Sequence, residues 1–184
     1  MSRHRANVET AVQALAFWKA VTMDTSNALE RFLALLDGAG LRYCVIGGQG
    51  VNAYTDPLVS LDLDLVVAAN DLTRIETLLP STFTIRRFSH SLNIEIPGSA
   101  LRIQFQTDPR YFTFVERATR RDILGLTLPV ASLEDVLRGK VWAAQDSGRR
   151  GSKRQKDLAD IARILESYPA LRAQVPDELL SRLV

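Results

Sequence analysis

Cysteine and histidine are nearly missing from this 184-residue chain. The single cysteine, Cys44, excludes a disulfide framework and a thiolate zinc site. Two histidines, His4 and His90, argue against a histidine-rich metal centre. No apolar run approaches the roughly 20 residues that span a bilayer. Behind Arg3 and Arg5 the chain is interrupted by Glu9, Gln13 and Lys19, so no apolar core of a signal peptide forms. The expectation is a cytoplasmic protein without a membrane partner. Internal repeats and low-complexity segments are absent as well. Charge of one sign is scarce: 23 Lys and Arg stand against 21 Asp and Glu. Residues 1–22, with Arg3, Arg5 and Lys19 against Glu9, account for the whole excess of +2. What remains is ordinary globular composition, 46% hydrophobic and 24% charged, in a chain long enough to bury a core.

Val8, Ala11, Val12, Leu15 and Trp18 recur at helical spacing, so residues 1–22 read as an N-terminal extension, either a short amphipathic helix or a poorly ordered segment. The helix-capping cluster Asp24-Thr25-Ser26-Asn27 follows Met23, where the compact domain is expected to begin. Leu29, Phe32, Leu33, Leu35 and Leu36 then mark a helix, stopped by Gly38 and Gly40. Leu41 to Ile46 reads as a strand, 47–50 as a tight turn, 51–54 as a short helix, and 61–67 as a strand that becomes wholly apolar at its end. A helix over 70–79 precedes β-like segments at 82–87, 91–96 and 101–106, and another over Ile123 to Leu128. Ser132-Leu133-Glu134-Asp135 opens a helix to about Ala144; a Gly/Arg-rich loop over 147–152 leads to a helix from Lys153 to Ser167, and 176–183 reads as helical. The fold class is α/β or α+β: a mixed sheet core over 23–128 with flanking helices, and a C-terminal helical part over 129–184 packed on it.

Asp62 and Asp64 carry the clearest chemical signal. Two apart in a strand, they project from one face. Buried beside Leu61, Leu63, Leu65 and Val66 they would repel each other and lose hydration, and a divalent cation removes both costs. Mg²⁺, or Mn²⁺ in its place, takes a few carboxylate oxygens together with substrate phosphates. An exposed acidic face on an edge strand gives the same bare pattern. Position sharpens it: Gly47-Gly48 follows the preceding strand and opens a helix, with Asp62 fourteen residues beyond Gly48. Glycines there admit a ligand to the backbone, and a helix start offers N–H groups to phosphate. Strand, GG, helix, strand and DxD together resemble the signature of the polymerase-β-like nucleotidyltransferase superfamily.

In the helix after Ser132, Lys140 lies within the stripe of Leu133, Val136, Leu137, Val141 and Ala144. A lysine there meets an anion or snorkels outward. Asp157 borders the stripe of Leu158, Ile161, Ala162 and Leu165, and with Lys140 would complete a phosphate-binding cleft opposite Asp62 and Asp64. Arg149, Arg150, Lys153, Arg154 and Lys156 put five positive charges into eight residues, either a solvated loop and helix start or an RNA-backbone contact. No aromatics interleave to stack bases.

The Ser132–Asp135 cap, Lys140, Arg154, Lys156-Asp157 and Asp160-Ile161 resemble the C-terminal pattern of the AbiE-type (AbiEii/AbiGii) toxin nucleotidyltransferases, and with GG and DxD the resemblance covers 25–167. It implies an enzyme moving NMP from an NTP to an RNA (tRNA) or protein acceptor, within a toxin–antitoxin pair. It implies nucleotide phosphates at Gly47, Gly48 and Gln49, metal on Asp62 and Asp64, and Lys140 and Asp157 completing the catalytic set. Two departures stand out. Leu58 and Ser60 replace an Arg-x-Thr common before the DxD strand, and Gln104 stands where many superfamily members have a third carboxylate, with Glu95 and Asp108 as substitutes. Gln104 keeps open a second reading, a catalytically inactive module that binds nucleotide or a partner.

Overall fold

The alternation of the strands sorts their side chains onto two faces, and that sorting builds the molecule. The computed structural model describes residues 13–24, 27–79, 83–97, 99–123 and 125–183. Helical residues 13–22 (α1) precede α2 (Ala28–Gly38), β1 (Tyr43–Ile46), α3 (Gly47–Asn52), β2 (Asp62–Val67) and α4 (Leu72–Leu78). Then come β3 (Thr84–Arg87), β4 (Ser91–Glu95), β5 (Arg102–Gln106), a 3₁₀ segment (Pro109–Arg117), β6 (Thr119–Ile123) and β7 (Leu126–Val130). Helices α5 (Leu133–Gln145), α6 (Gly151–Ser167) and α7 (Asp177–Leu180) close the described chain. The sheet is mixed, ordered β3-β4-β5-β2-β1-β7-β6, with β2 parallel to β5 and antiparallel to β1.

Leu63, Leu65 and Val67 of β2 point to one face, where they join Tyr43, Val45, Leu92, Ile94, Ile103 and Phe105 beneath α2. Cys44, Ile46 and Val66 point to the other, beneath α5 and α6. Asp62 and Asp64 share that second face by the same two-residue period. Asp24 caps α2, its carboxylate accepting from the N–H groups of Ala28 (2.7 Å) and Leu29 (3.2 Å). Ser132 caps α5 by accepting from the N–H of Asp135 at 3.2 Å.

Trp18, in the stretch read as an extension, is 2% exposed within the first core cluster and donates its indole N–H to the Ser60 carbonyl at 3.0 Å. Residues 1–12 lie outside the described chain. Three expectations are corrected. The turn expected at 47–50 is itself helical, because Gly47 at φ +64° redirects the chain straight from β1 into α3. The strand expected over Ile123 to Leu128 is the corner of the β6–β7 hairpin, turned at Gly125 with φ +75°. The helix expected over 176–183 is confined to α7.

Candidate active site

Antiparallel pairing sets Ile46 opposite Asp64, so the glycine after Ile46 arrives beside the Asp64 carboxylate. A Cβ on Gly47 would stand 2.0 Å from Asp64 Oδ2, so both its left-handed φ and its lack of a side chain are used. Gly48 is less constrained: its Cβ would meet Ser60 Oγ at 3.6 Å, an ordinary contact. Both glycines line a cleft of about 260 Å³ together with Asp62, Asp64, Gln104, Lys140 and Asp157. Gln49 does not line it. Its buried amide donates to the Ser60 carbonyl at 3.2 Å and accepts from Asn52 at 3.1 Å, so it braces the loop before β2.

One wall of the cleft is acidic by origin and the other basic. Residues 56–76 carry one arginine against five carboxylates, and 138–163 carry eight Lys and Arg against three aspartates. Lys140 projects inward from α5 and is 7% exposed. Its ammonium lies 2.7 Å from Asp160 and 3.1 Å from Asp157. Burial by itself would depress its pKa, but the carboxylates of Asp160 and Asp157 outweigh that and hold it above the ordinary lysine value. Asp157 also receives Arg149 at 2.6 Å, and Asp160 receives Arg163 at 3.0 Å. Arg163 reaches on to Asn52 and Thr55, joining α6 to the loop after α3. Sequence reasoning placed Lys140 against an anion or in solvent; it sits on two anions of its own chain.

Burial pushes the Asp64 carboxyl above the usual aspartate range; Lys140 opposes this and Asp62 adds to it. A cation on that carboxylate would relieve the cost. Among the described residues no group of three or more His, Cys, Asp or Glu converges. The donor set is two carboxylates on one strand face, which fits a magnesium-like ion completing its shell with phosphates and water.

The floor beyond Asp64 comes from the cleft-facing sides of β4 and β5: Asn93, Glu95, Arg102, Gln104 and Gln106. Register places Gln104 directly beside Asp64, and an amide there cannot take a proton. Asn93 Oδ1, paired with it from β4, is buried without a hydrogen-bond partner among the described residues. Of the two substitutes considered for a third carboxylate, Glu95 lines the cleft but is paired with Arg86 at 3.3 Å. Asp108 instead caps the 3₁₀ segment and is held by Arg110 at 2.7 Å, which keeps its carboxyl below the usual range. Not foreseen from the sequence are Tyr111 and Phe114, which line the cleft from the 3₁₀ segment; Phe114 stacks on Trp142 and Tyr111 meets it edge-on. The cap-and-proline pair Asp108-Pro109 was the available signal for that element.

A family model described as the nucleotidyl transferase AbiEii toxin of a type IV TA system matches residues 59–183. No curated protein matches the chain. Among solved structures, the fold resembles ANT(2")-Ia in complex with adenylyl-2"-tobramycin at 15% identity and TM-score 0.57, covering 86% of this chain and 98% of that one. It resembles the lincosamide antibiotic adenylyltransferase LnuA, lincomycin-bound, at 14% identity and TM-score 0.52, covering 76% and 98%. It also resembles an antigenic nucleotidyltransferase-like protein from Paracoccidioides brasiliensis at 23% identity and TM-score 0.50, covering 91% and 87%. At these identities the likeness is one of fold, and the mixed sheet with flanking helices is shared.

Proposed function

The chain belongs to the nucleotidyl transferase AbiEii toxin family, and from that premise we propose that it transfers NMP from an NTP to a hydroxyl of an RNA acceptor, as the toxin of a toxin–antitoxin pair, with Mg²⁺ or Mn²⁺. The observation that carries the choice of acceptor is how charge is matched in the cleft. Four of its five carboxylates, Asp62, Glu95, Asp135 and Asp157, are each paired with a lysine or arginine of the chain, and the fifth, Asp64, has no ion pair among the described residues and is the one left to a cation. Lys153 and Lys156 line the same cleft as exposed cations with no ion pair among the described residues. Exposed lysines there favour an anionic acceptor over the amine-bearing antibiotics named with the structural neighbours.

In this reading Asp62 and Asp64 hold the divalent cation, which neutralises triphosphate charge and orients the phosphates when bound. Gly47 and Gly48 leave the backbone open to the phosphates at the start of α3. Lys140, steadied by Asp157 and Asp160, supplies fixed positive charge facing Asp64. The acceptor oxygen bonds to the α-phosphorus as the α–β anhydride opens and pyrophosphate leaves. Gln104 cannot accept the hydroxyl proton, which therefore passes to water.

Incubation with each α-labelled NTP, Mg²⁺ and total RNA tests this. Nuclease-sensitive label that vanishes in Asp62→Asn plus Asp64→Asn is expected; protease-sensitive label would redirect the acceptor to protein. Transfer unaffected by the double variant refutes the assignment of the aspartates. A second reading, an inactive module that binds nucleotide or a partner, is favoured by Gln104 beside Asp64. Calorimetric NTP binding without turnover on any acceptor would select it.

A further inference from the structure

Arg102 opens β5 and stands in register with Asp62 on one side and Glu95 on the other. It has taken Asp62: the guanidinium Nε lies 2.8 Å from Asp62 Oδ1. Glu95 is occupied by Arg86. The side chain of Arg102 is 64% exposed against 23% for Asp62, so the pair is reached by water from the arginine side. Exposed ion pairs of this kind are weak and easily exchanged. The Arg102 backbone is separately anchored, its N–H donating to the Leu61 carbonyl at 3.0 Å. The guanidinium can therefore leave without disturbing the strand.

We propose that Arg102 gates the cation position: it occupies Asp62 while the cleft is free of nucleotide and yields when a divalent cation arrives together with a triphosphate. This rests on reading Asp62 and Asp64 as cation ligands. A guanidinium stays charged at every working pH, and its fork of donors suits carboxylate and phosphate alike. A bare cation must displace or sit beside a like charge. A cation arriving with phosphates brings the anion onto which Arg102 can turn. The two ligands therefore favour each other's binding, and by linkage each raises the other's affinity by the same factor. Affinity for the cation alone falls by the fraction of time Asp62 is free, and the residual positive charge adds to the loss. Together these raise the Kd for the bare cation by roughly three- to tenfold.

Electron paramagnetic resonance of Mn²⁺ titrated onto the full chain, with and without a non-hydrolysable NTP analogue, reads this directly. Arg102→Gln should bind Mn²⁺ alone about three- to tenfold more tightly. The gain that the nucleotide gives to Mn²⁺ affinity should shrink by a similar factor. Arg102→Lys, which keeps the charge but loses the fork, should lie between. Equal Kd values for wild type and Arg102→Gln overturn the gate, and so does a weaker Arg102→Gln with an unchanged melting temperature. If Mn²⁺ binding survives Asp64→Asn unaltered, or neither protein binds Mn²⁺, the reading of the aspartates fails and the gate falls with it.

Discussion

At the scale of the residue, two adjacent glycines carry different burdens. Gly47 combines φ +64° with a Cβ position already filled by Asp64 Oδ2, whereas the Cβ of Gly48 has room beside Ser60. Gly47→Ala should cost about 1–3 kcal/mol in strain and displace the Asp64 carboxylate, lowering label transfer by about 100-fold or more. Gly48→Ala should keep transfer within a few-fold of wild type; labelled-NTP assays beside thermal unfolding check both. Lys140→Met removes the ammonium shared by Asp157 and Asp160, leaving both half-matched in the interior, and should cost about 3–5 kcal/mol in chemical denaturation. Asp62 and Asp64 were legible because strand period alone puts them on one face. The direction of the Gln49 side chain was not, since the loop before β2 decides it. Arg102 was equally hidden, because a cross-strand partner is set by register rather than by nearness in sequence.

At the scale of the element, α1 shows how a segment that reads as an appendage becomes part of the core. Trp18 fills space beneath α2 and holds the Ser60 carbonyl, which Gln49 also holds, so α1 and α3 brace the same loop at the cleft. Trp18→Ala should lose about 3–5 kcal/mol, and Trp18→Phe should keep most of the packing while releasing the loop, seen as faster amide exchange around Ser60. The helices α2, α5 and α6 were legible from apolar stripes and caps. The β6–β7 hairpin was not: β6 has only Ile123 buried, so its exposed Thr119, Arg120, Arg121 and Asp122 carry no strand pattern. The 3₁₀ segment at 109–117 escaped for another reason: its buried Tyr111 and Phe114 recur three apart, but Phe112 and Val115 beside them blur the stripe.

At the scale of the whole molecule, the arrangement is an acidic central strand facing a basic helix, with intramolecular pairs matching most of the charge in the cleft. Lys153 and Lys156 are its exposed cations without an ion pair among the described residues, and Asp64 is the carboxylate left to a cation. Replacing both lysines with glutamine should reduce the slope of log K against log salt for single-stranded RNA by about 1.4. Stability should scarcely change, because both side chains are exposed. Fluorescence-anisotropy titrations across a salt series measure it.

The amino-acid sequence by itself determined the alternating faces of β2 and the apolar stripes of α2, α5 and α6. It also determined the glycine pair ahead of two same-face aspartates, since local period and backbone freedom are properties of neighbouring residues. Only the tertiary structure decided which charges meet, Lys140 with Asp157 and Asp160 and Arg102 with Asp62, and that Gln104 pairs in register with Asp64. Those meetings depend on strand register and helix packing, which bring together residues 17 to 40 positions apart, and no local rule encodes them.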